Sequence, residues 1–385
     1  MNIADLNISD WTLLGALLLL FVAQVYWYSR YMAAPARCIR KDKKSSISNL
    51  QSPMSEAPGV SIIIAAHNEG YNLSQYLPAL LTQDWPEYEV IVVDDGSEDD
   101  TREVVEQYMV HDPRLHMTFV PRGARVGSTK KLAITLGAKS AQYDYLLLTD
   151  ADCVPAGNQW IREMMQGFDK ANLVLGFGAY FEEEGHINRL VRYDTLFNGL
   201  HYLGAALCGH PYMGVGRNLA YRKSLFFESG GFTHLMTNRA GDDDLFVNRV
   251  ATKENTAVVL SRESFTWSLS KKTFKEWWQQ KRRHVSVSPA YKEETKTRLA
   301  LEPITRGLFY AMVLVTVIGY GLSVISLVAA GLFLVRWILQ TSVLNTSARR
   351  MGLKRFNMFT VLWFDLTLPL VNLYMLVVPK RKLKW

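Results

Sequence analysis

The chain has 385 residues, of which 49% are hydrophobic, with a net charge of +7 and three cysteines. This length allows one large soluble domain with appendages, and the gathering of apolar residues into long runs excludes a wholly soluble protein. The excess Lys and Arg stands beside those runs, where anionic headgroups attract it, which excludes nucleic-acid binding; Cys38, Cys153 and Cys208 show no metal spacing and read as reduced, buried thiols.

Trp11–Tyr28 is apolar over a length that, slightly extended, crosses a hydrocarbon layer of roughly 30 Å. Its leader carries Asp5 and Asp10 but no Lys or Arg, whereas Arg30, Arg37, Arg40, Lys41, Lys43 and Lys44 follow it, the reverse of a cleaved signal. An uncleaved transmembrane anchor is expected over 1–30, with the amino end outside and the bulk of the chain cytosolic. Residues 31–57 are polar and basic, with Pro53 near their end, and read as a linker.

The domain expected over 58–270 opens with a strand, Val60–Ala66, running into His67, Asn68 and Glu69. A helical pattern through Leu73, Leu77 and Leu80 leads to a second strand ending in Asp94 and Asp95, then Gly96, Ser97 and a helix that residues 99–101 can cap. Met117–Val120 is a third strand, 129–141 a third helix, and Tyr145–Thr149 a fourth strand delivering Asp150 and, one residue on, Asp152. Repeated strand–helix alternation predicts an α/β domain with a mostly parallel sheet covered on both faces. Residues i and i+2 of an extended chain point the same way, so Asp150 and Asp152 can face one Mg²⁺ or Mn²⁺ and, through it, a diphosphate. Dinucleotide and P-loop fingerprints are absent. Three successive strand ends instead carry polar clusters, more than helix caps alone explain.

In this order and spacing, His67-Asn68-Glu69, the Asp94-Asp95-Gly96-Ser97 turn, Lys130 with Ala133, and the Asp150/Asp152 pair resemble the family 2 glycosyltransferases, whose catalytic domain is the Rossmann-like GT-A fold. Gly230, Gly231 and Phe232 followed by Gly241–Leu245 resemble the segment that carries the family's acidic pair. Gln280, Arg283 and His284 resemble the Gln-x-x-Arg-Trp motif of its membrane-embedded synthases, the bacterial polysaccharide and N-acetylglucosaminyl group. The resemblance covers about residues 60–285.

It implies a nucleotide-sugar donor, UDP-linked, held by His67, Glu69, Asp95, Lys130, Asp150 and Asp152. Asp95 would bind the nucleobase, with Asp94 structural. His67 is the candidate for stacking on the base, a capping or core-edge role being the alternative. Lys130, with Arg125 as a second candidate, would face the sugar or diphosphate. Asp152 would ligate Mg²⁺ or Mn²⁺, with Asp150 on the ribose or on the metal through water. Asp242 falls at the position of the catalytic base, Asp243 being the fallback, and Gly241 stands where a glutamate is common; an acidic helix start is the plain alternative for the rest of that triple. On the acceptor side, Gln280 and Arg283 share a helical face, and His284 replaces the Trp, which weakens a processive reading.

Residues 271–300 read as an amphipathic interface region and 301–385 as membrane-embedded. Gly307–Leu339 is either a hairpin, turning near 319–321 or 329–331, or one tilted span with an interfacial extension. Phe356–Val378 has basic clusters on both sides and is broken by Asp365, Pro369 and Asn372, so it either crosses against the positive-inside tendency or is re-entrant. The expectation is an inverting glycosyltransferase of the bacterial inner membrane, acting at its cytoplasmic face on a lipid-linked or growing saccharide acceptor, with membrane lipids as neighbours. A nucleotidyltransferase of similar fold and a non-catalytic scaffold are the rivals. The first usually has a basic, glycine-rich loop after the first strand; the second would turn Asp242 and Asp243 away from the Asp152 pocket.

Overall fold

The computed structural model describes residues 7–45, 57–121, 123, 128–235 and 241–377. The described strands are β1 (Val60–Ala66), β2 (Tyr88–Asp94), β3 (Leu115–Phe119), β4 (Tyr145–Asp150), β5 (Cys153–Pro155), β6 (Leu173–Leu175), β7 (Gly178–Tyr180), β8 (Leu219–Arg222), β9 (Thr256–Val258) and β10 (Thr266–Ser268). Seven of them form one sheet in the order β3-β2-β1-β4-β8-β6-β9, in which β8 alone runs against the rest. A second sheet, β5-β10-β7, stands beside it.

The apolar strands are buried on both faces, and their alternation divides two cores. Ile63, Ile91, Val93, Leu146 and Leu148 pack on one side, while Ile62, Ile64, Val90, Val92 and Leu147 pack on the other. Register aligns the strand ends: Ala66 pairs with Asp94 and Ala65 with Asp150, so the carboxyl edge presents the acids of β2 and β4 on either side of β1.

The helices are α1 (Ile8–Trp27), α2 (Ala34–Ser45), α3 (Gly70–Leu81), α4 (Thr101–Met109), α5 (Thr129–Ser140), α6 (Trp160–Met165), α7 (His186–Leu207), α8 (Lys223–Glu228), α9 (Asp242–Val250), α10 (Phe274–Val285), α11 (Glu293–Tyr320), α12 (Val324–Arg350) and α13 (Met358–Val377). Where a linker is expected over 31–57, a π-helical turn (Tyr28–Met32) and α2 continue α1 as far as Ser45, with Ala34, Ala36 and Ile39 buried; residues 46–56 lie outside the described residues. Ala and Ile on one side of a basic helix let it pack while its charges stay at the edge.

Among the described residues, four helices are long and apolar enough to cross a membrane: α1 with its continuation, α11, α12 and α13. The 307–339 run is a hairpin, turning at Gly321, whose φ of 53° favours glycine, and restarting at the Ser323 cap. At the far end of the bundle the Tyr320 hydroxyl donates to Asp10 at 2.7 Å; nearer the sheet domain Gln24 donates to Thr305 at 2.8 Å, so α1 and α11 are antiparallel. A buried ion cluster joins the helices. Asp365 of α13 accepts from Arg306 at 2.8 Å and Arg336 at 2.9 Å, Glu302 pairs with Arg306 at 3.1 Å, and Arg336 also donates to Gln24 at 2.9 Å.

α13 departs from its neighbours. Phe364 lies 4.9 Å from the ring of Tyr193 on α7, and Tyr374, ten residues on, lies 5.8 Å from Trp278 on α10. One stripe, including Phe359, Trp363, Leu366, Leu370 and Leu373, is exposed, while Val361, Asp365, Leu368 and Met375 are buried. α13 therefore packs on α7 and α10 of the sheet domain and, through Asp365, on α11 and α12 of the bundle.

Candidate active site at the carboxyl edge of the sheet

β1 ends in a tight polar turn. Asn68 adopts a left-handed φ of 57° and its side-chain oxygen accepts the Glu98 N–H at 2.8 Å, which ties the β1 and β2 loops together. Asp94 is buried and caps the turn by accepting the Ser97 N–H at 3.0 Å, whereas Asp95 is half-buried at the cleft, raised in pKa by burial against a bond from Thr129. His67 is exposed, its Nδ1 held 2.8 Å from the Asp95 carbonyl oxygen. Glu69 accepts from Asn72 at 2.6 Å; burial and then the Asp152 and Asp150 charges raise its pKa against that bond.

Beyond β4, the ligand atoms of Asp150, Asp152 and Cys153 all lie within 4.8 Å of one another. Burial and then the two carboxylates push the Cys153 thiol up, so it stays protonated, leaving the carboxylates as donors. Hard oxygen donors fit Mg²⁺ or Mn²⁺ rather than a thiophilic metal. Asp150 and Asp152 titrate as a pair. Burial raises both, but Lys130 holds Asp150 below the usual carboxylate range, while the Asp150 charge adds to burial in raising Asp152.

Lys130 comes from the first turn of α5, which Ser128 caps. Its ammonium donates to Asp150 at 2.9 Å and stands 3.6 Å from Asp242, with the lysine side chain 45% exposed and Asp242 only 15%. Burial opposes the ammonium, but Asp150 and Asp242 outweigh it and raise its pKa. Arg125 lies outside the described residues.

The acidic triple divides by function of position. Gly241 starts α9 at φ 76°, and a Cβ there would come within 2.6 Å of Val287, so the usual glutamate has no room. Asp242 and Asp243 both line the cleft with Lys130 and Asp150. Asp243 is engaged, accepting the Gly216 N–H at 2.5 Å and the Asp244 N–H at 2.9 Å; burial and then Asp242 push it up to about 6. Asp244 turns to the Tyr291 hydroxyl, and burial followed by its two neighbours raises it well above the carboxylate range.

α10 borders the same cleft. Gln280 donates to the Tyr180 hydroxyl at 3.3 Å, and the Tyr180 ring carries the Arg217 guanidinium 4.3 Å from its centre. The Arg283 charge reaches Asp150. Burial and then the Arg283 and Lys281 charges hold His284 below the ordinary imidazole range, although the residue keeps exposed surface. Arg217 escapes sequence reasoning. It donates to the Gly178 carbonyl at 2.8 Å and puts a fixed positive charge near both Asp150 and Asp152, yet its Gly216–Asn218 turn follows no periodic pattern.

A sheet with six strands one way and one reversed, an aspartate pair at its carboxyl edge and an acidic helix start facing that pair define the GT-A glycosyltransferase fold. The solved mannosyltransferase of Pyrobaculum calidifontis, in complex with GDP-Man and Mn²⁺, shares it at a TM-score of 0.51 and 16% identity, over 90% of this chain and 99% of that one. The chain matches the glycosyl transferase family 21 model over residues 19–385, and it belongs to that family. It is 32% identical over 106 residues to the poly-beta-1,6-N-acetyl-D-glucosamine synthase of Staphylococcus epidermidis, covering 27% of this chain and 24% of that protein. It is 25% identical over 241 residues to the probable glycosyltransferase YdaM of Bacillus subtilis, covering 60% and 55%. The chain thus spans between a quarter and about half the length of these relatives.

Proposed function

We propose that this protein transfers a sugar, with inversion, from a nucleotide diphosphate donor, UDP-linked, to a lipid-linked or growing saccharide acceptor at the cytoplasmic face of a bacterial membrane. The observation that carries this reading is the convergence of Asp150, Lys130 and Asp242 within 3.6 Å steps at the sheet edge. Asp150 and Asp152 would hold Mg²⁺ or Mn²⁺, which when bound neutralises charge developing on the leaving diphosphate. Asp95, with His67 beside it, takes the nucleobase, and Lys130 takes phosphate oxygens or the sugar. Asp242, which unlike Asp243 is not engaged by backbone N–H groups among the described residues and unlike Asp244 does not turn to Tyr291, deprotonates the acceptor hydroxyl opposite the departing diphosphate, so no covalent glycosyl-enzyme forms. Gln280, Arg283 and His284 on α10 border the acceptor's approach. The nucleotidyltransferase reading finds little support in the His67–Glu69 turn, and the scaffold reading little in a cleft lined by both Asp242 and Asp243.

Mass spectrometry of products from the purified protein, offered a panel of nucleotide sugars with Mn²⁺ or Mg²⁺, tests the proposal. Nucleoside diphosphate release coupled to a glycosylated product is expected; no glycosyl transfer from any nucleotide sugar, with pyrophosphate released instead from a nucleoside triphosphate and a sugar 1-phosphate supplied in parallel, would assign nucleotidyl transfer, and no turnover in either assay would favour the scaffold.

A further inference from the structure

A second cleft lies where the membrane helices meet the sheet domain. It is lined by Trp27 and Tyr31 at the end of α1, His201 of α7, His210 and Tyr212 just after it, and Arg298 of α11. The Trp27–Tyr31 wall coincides with the π-helical turn Tyr28–Met32, a distortion common at functional sites. It sets the Trp27 ring 4.7 Å from Tyr31 and 5.5 Å from His201, and Tyr31 lies 6.4 Å from His210.

Two polar atoms of these lining residues, Trp27 Nε1 and His201 Nε2, are buried without a hydrogen-bond partner among the described residues, and Trp27 as a whole is only 9% exposed. Buried polar atoms are nearly always paired, so two orphans in the walls of one cleft point to a ligand that supplies their partners. The local field is positive. Burial, then Arg298, and then Arg30 and Lys253 against Glu294, depress the pKa of His210, while burial and Arg306 push His201 down to about 3 and keep it neutral. Trp and Tyr beside Arg at the end of an apolar helix mark headgroup depth. Leu18, Leu19 and Val22 of α1 and Leu301, Ile304 and Leu308 of α11 are exposed just beyond, on the helices that would flank an acyl chain.

We propose that this cleft seats the phosphate headgroup of an anionic membrane phospholipid at the junction of the helices and the sheet domain. The indole and imidazole nitrogens supply neutral hydrogen bonds, Arg298, which pairs through one nitrogen with the exposed Glu294 at 3.0 Å, turns its remaining N–H groups to the phosphate, and the α1 and α11 flanks supply the chain contacts. Nothing in this site touches Asp150 or Asp242, so it stands independently of the catalytic reading.

The full-length protein in nanodiscs of phosphatidylcholine with phosphatidylglycerol, partly delipidated and weighed by native mass spectrometry, tests it. Preferential retention of one phosphatidylglycerol is expected. His201→Phe, which keeps the ring packing, and Arg298→Gln should each lower that preference by about tenfold, the equivalent of one lost charged or neutral contact, while Arg298→Lys should largely keep it. Each variant is first matched to the parent in unfolding temperature. Equal retention of both lipids, or unchanged preference in both variants, would overturn the proposal. Displacement of the lipid by millimolar inorganic phosphate would overturn it as well, by assigning the cleft to a soluble anion.

Discussion

At the residue scale, the three aspartates of α9 have three environments and should respond differently to the same substitution. Asp243 is raised to about 6 from the ordinary carboxyl value of 3.8, because a buried carboxylate beside Asp242 resists ionising. A raised carboxyl penalises the folded state once ionised: stability is favoured below about pH 4 and falls as pH rises through 6. Asp243→Asn keeps an oxygen for the Gly216 N–H, so its unfolding temperature should fall less than the parent's between pH 4 and 6; an unchanged pH profile would remove Asp243 from the buried cluster. Asp152→Asn conserves size but deletes a charged ligand, and titration calorimetry should show Mn²⁺-supported donor binding weakened by about tenfold or more with folding intact. Donor affinity that is the same with and without chelator would contradict the metal site.

At the scale of elements, α13 bears on the charge conflict that the sequence poses. It contacts α7 through Phe364 and α10 through Tyr374, and its two ends, Asn357 and Val377, are expected to lie on one side of the membrane. Single cysteines placed at Asn357 and Val377 in a variant lacking native cysteines should both react with an impermeant thiol reagent from the cytoplasmic side. One placed at Leu322, in the α11–α12 turn, should react from the other side. Labelling of 377 and 322 from the same face would make α13 a crossing helix. Much of this layer was legible. The strands β1, β2 and β4 announced themselves as apolar runs ending in polar clusters, whereas the length of 307–339 allowed a hairpin without separating it from one tilted span, a choice the turn at Gly321 makes. The three-residue strands β5, β6, β7, β9 and β10 were not, since so short a segment carries no period and is held by its neighbours. Arg336, a cation inside an apolar run, was passed over in the sequence, because its partners, Gln24 and Asp365, are distant in sequence and only the packed bundle joins them.

At the scale of the whole molecule, that ion cluster ties the membrane bundle to the sheet domain. Arg306 lies 5.7 Å from the Phe197 ring of α7, so the same charges that join α11, α12 and α13 also touch the element beneath the sheet. Arg336→Met would leave Asp365 and Glu302 facing one arginine, and removing one member of a buried pair costs about 3–5 kcal/mol in soluble proteins. Detergent-solubilised Arg336→Met should therefore unfold at a clearly lower temperature, with Arg336→Lys between it and the parent; equal unfolding temperatures would make the cluster incidental.

The proposed chemistry turns on Asp242 taking the acceptor proton. The direct test measures donor binding and transfer in the same preparation of Asp242→Asn. Because the base acts on the acceptor, donor affinity should stay within a few fold while transfer falls by roughly 10²–10⁴. Near-normal transfer by Asp242→Asn, with transfer abolished in Asp243→Asn, would contradict the claim and move the base one residue along α9.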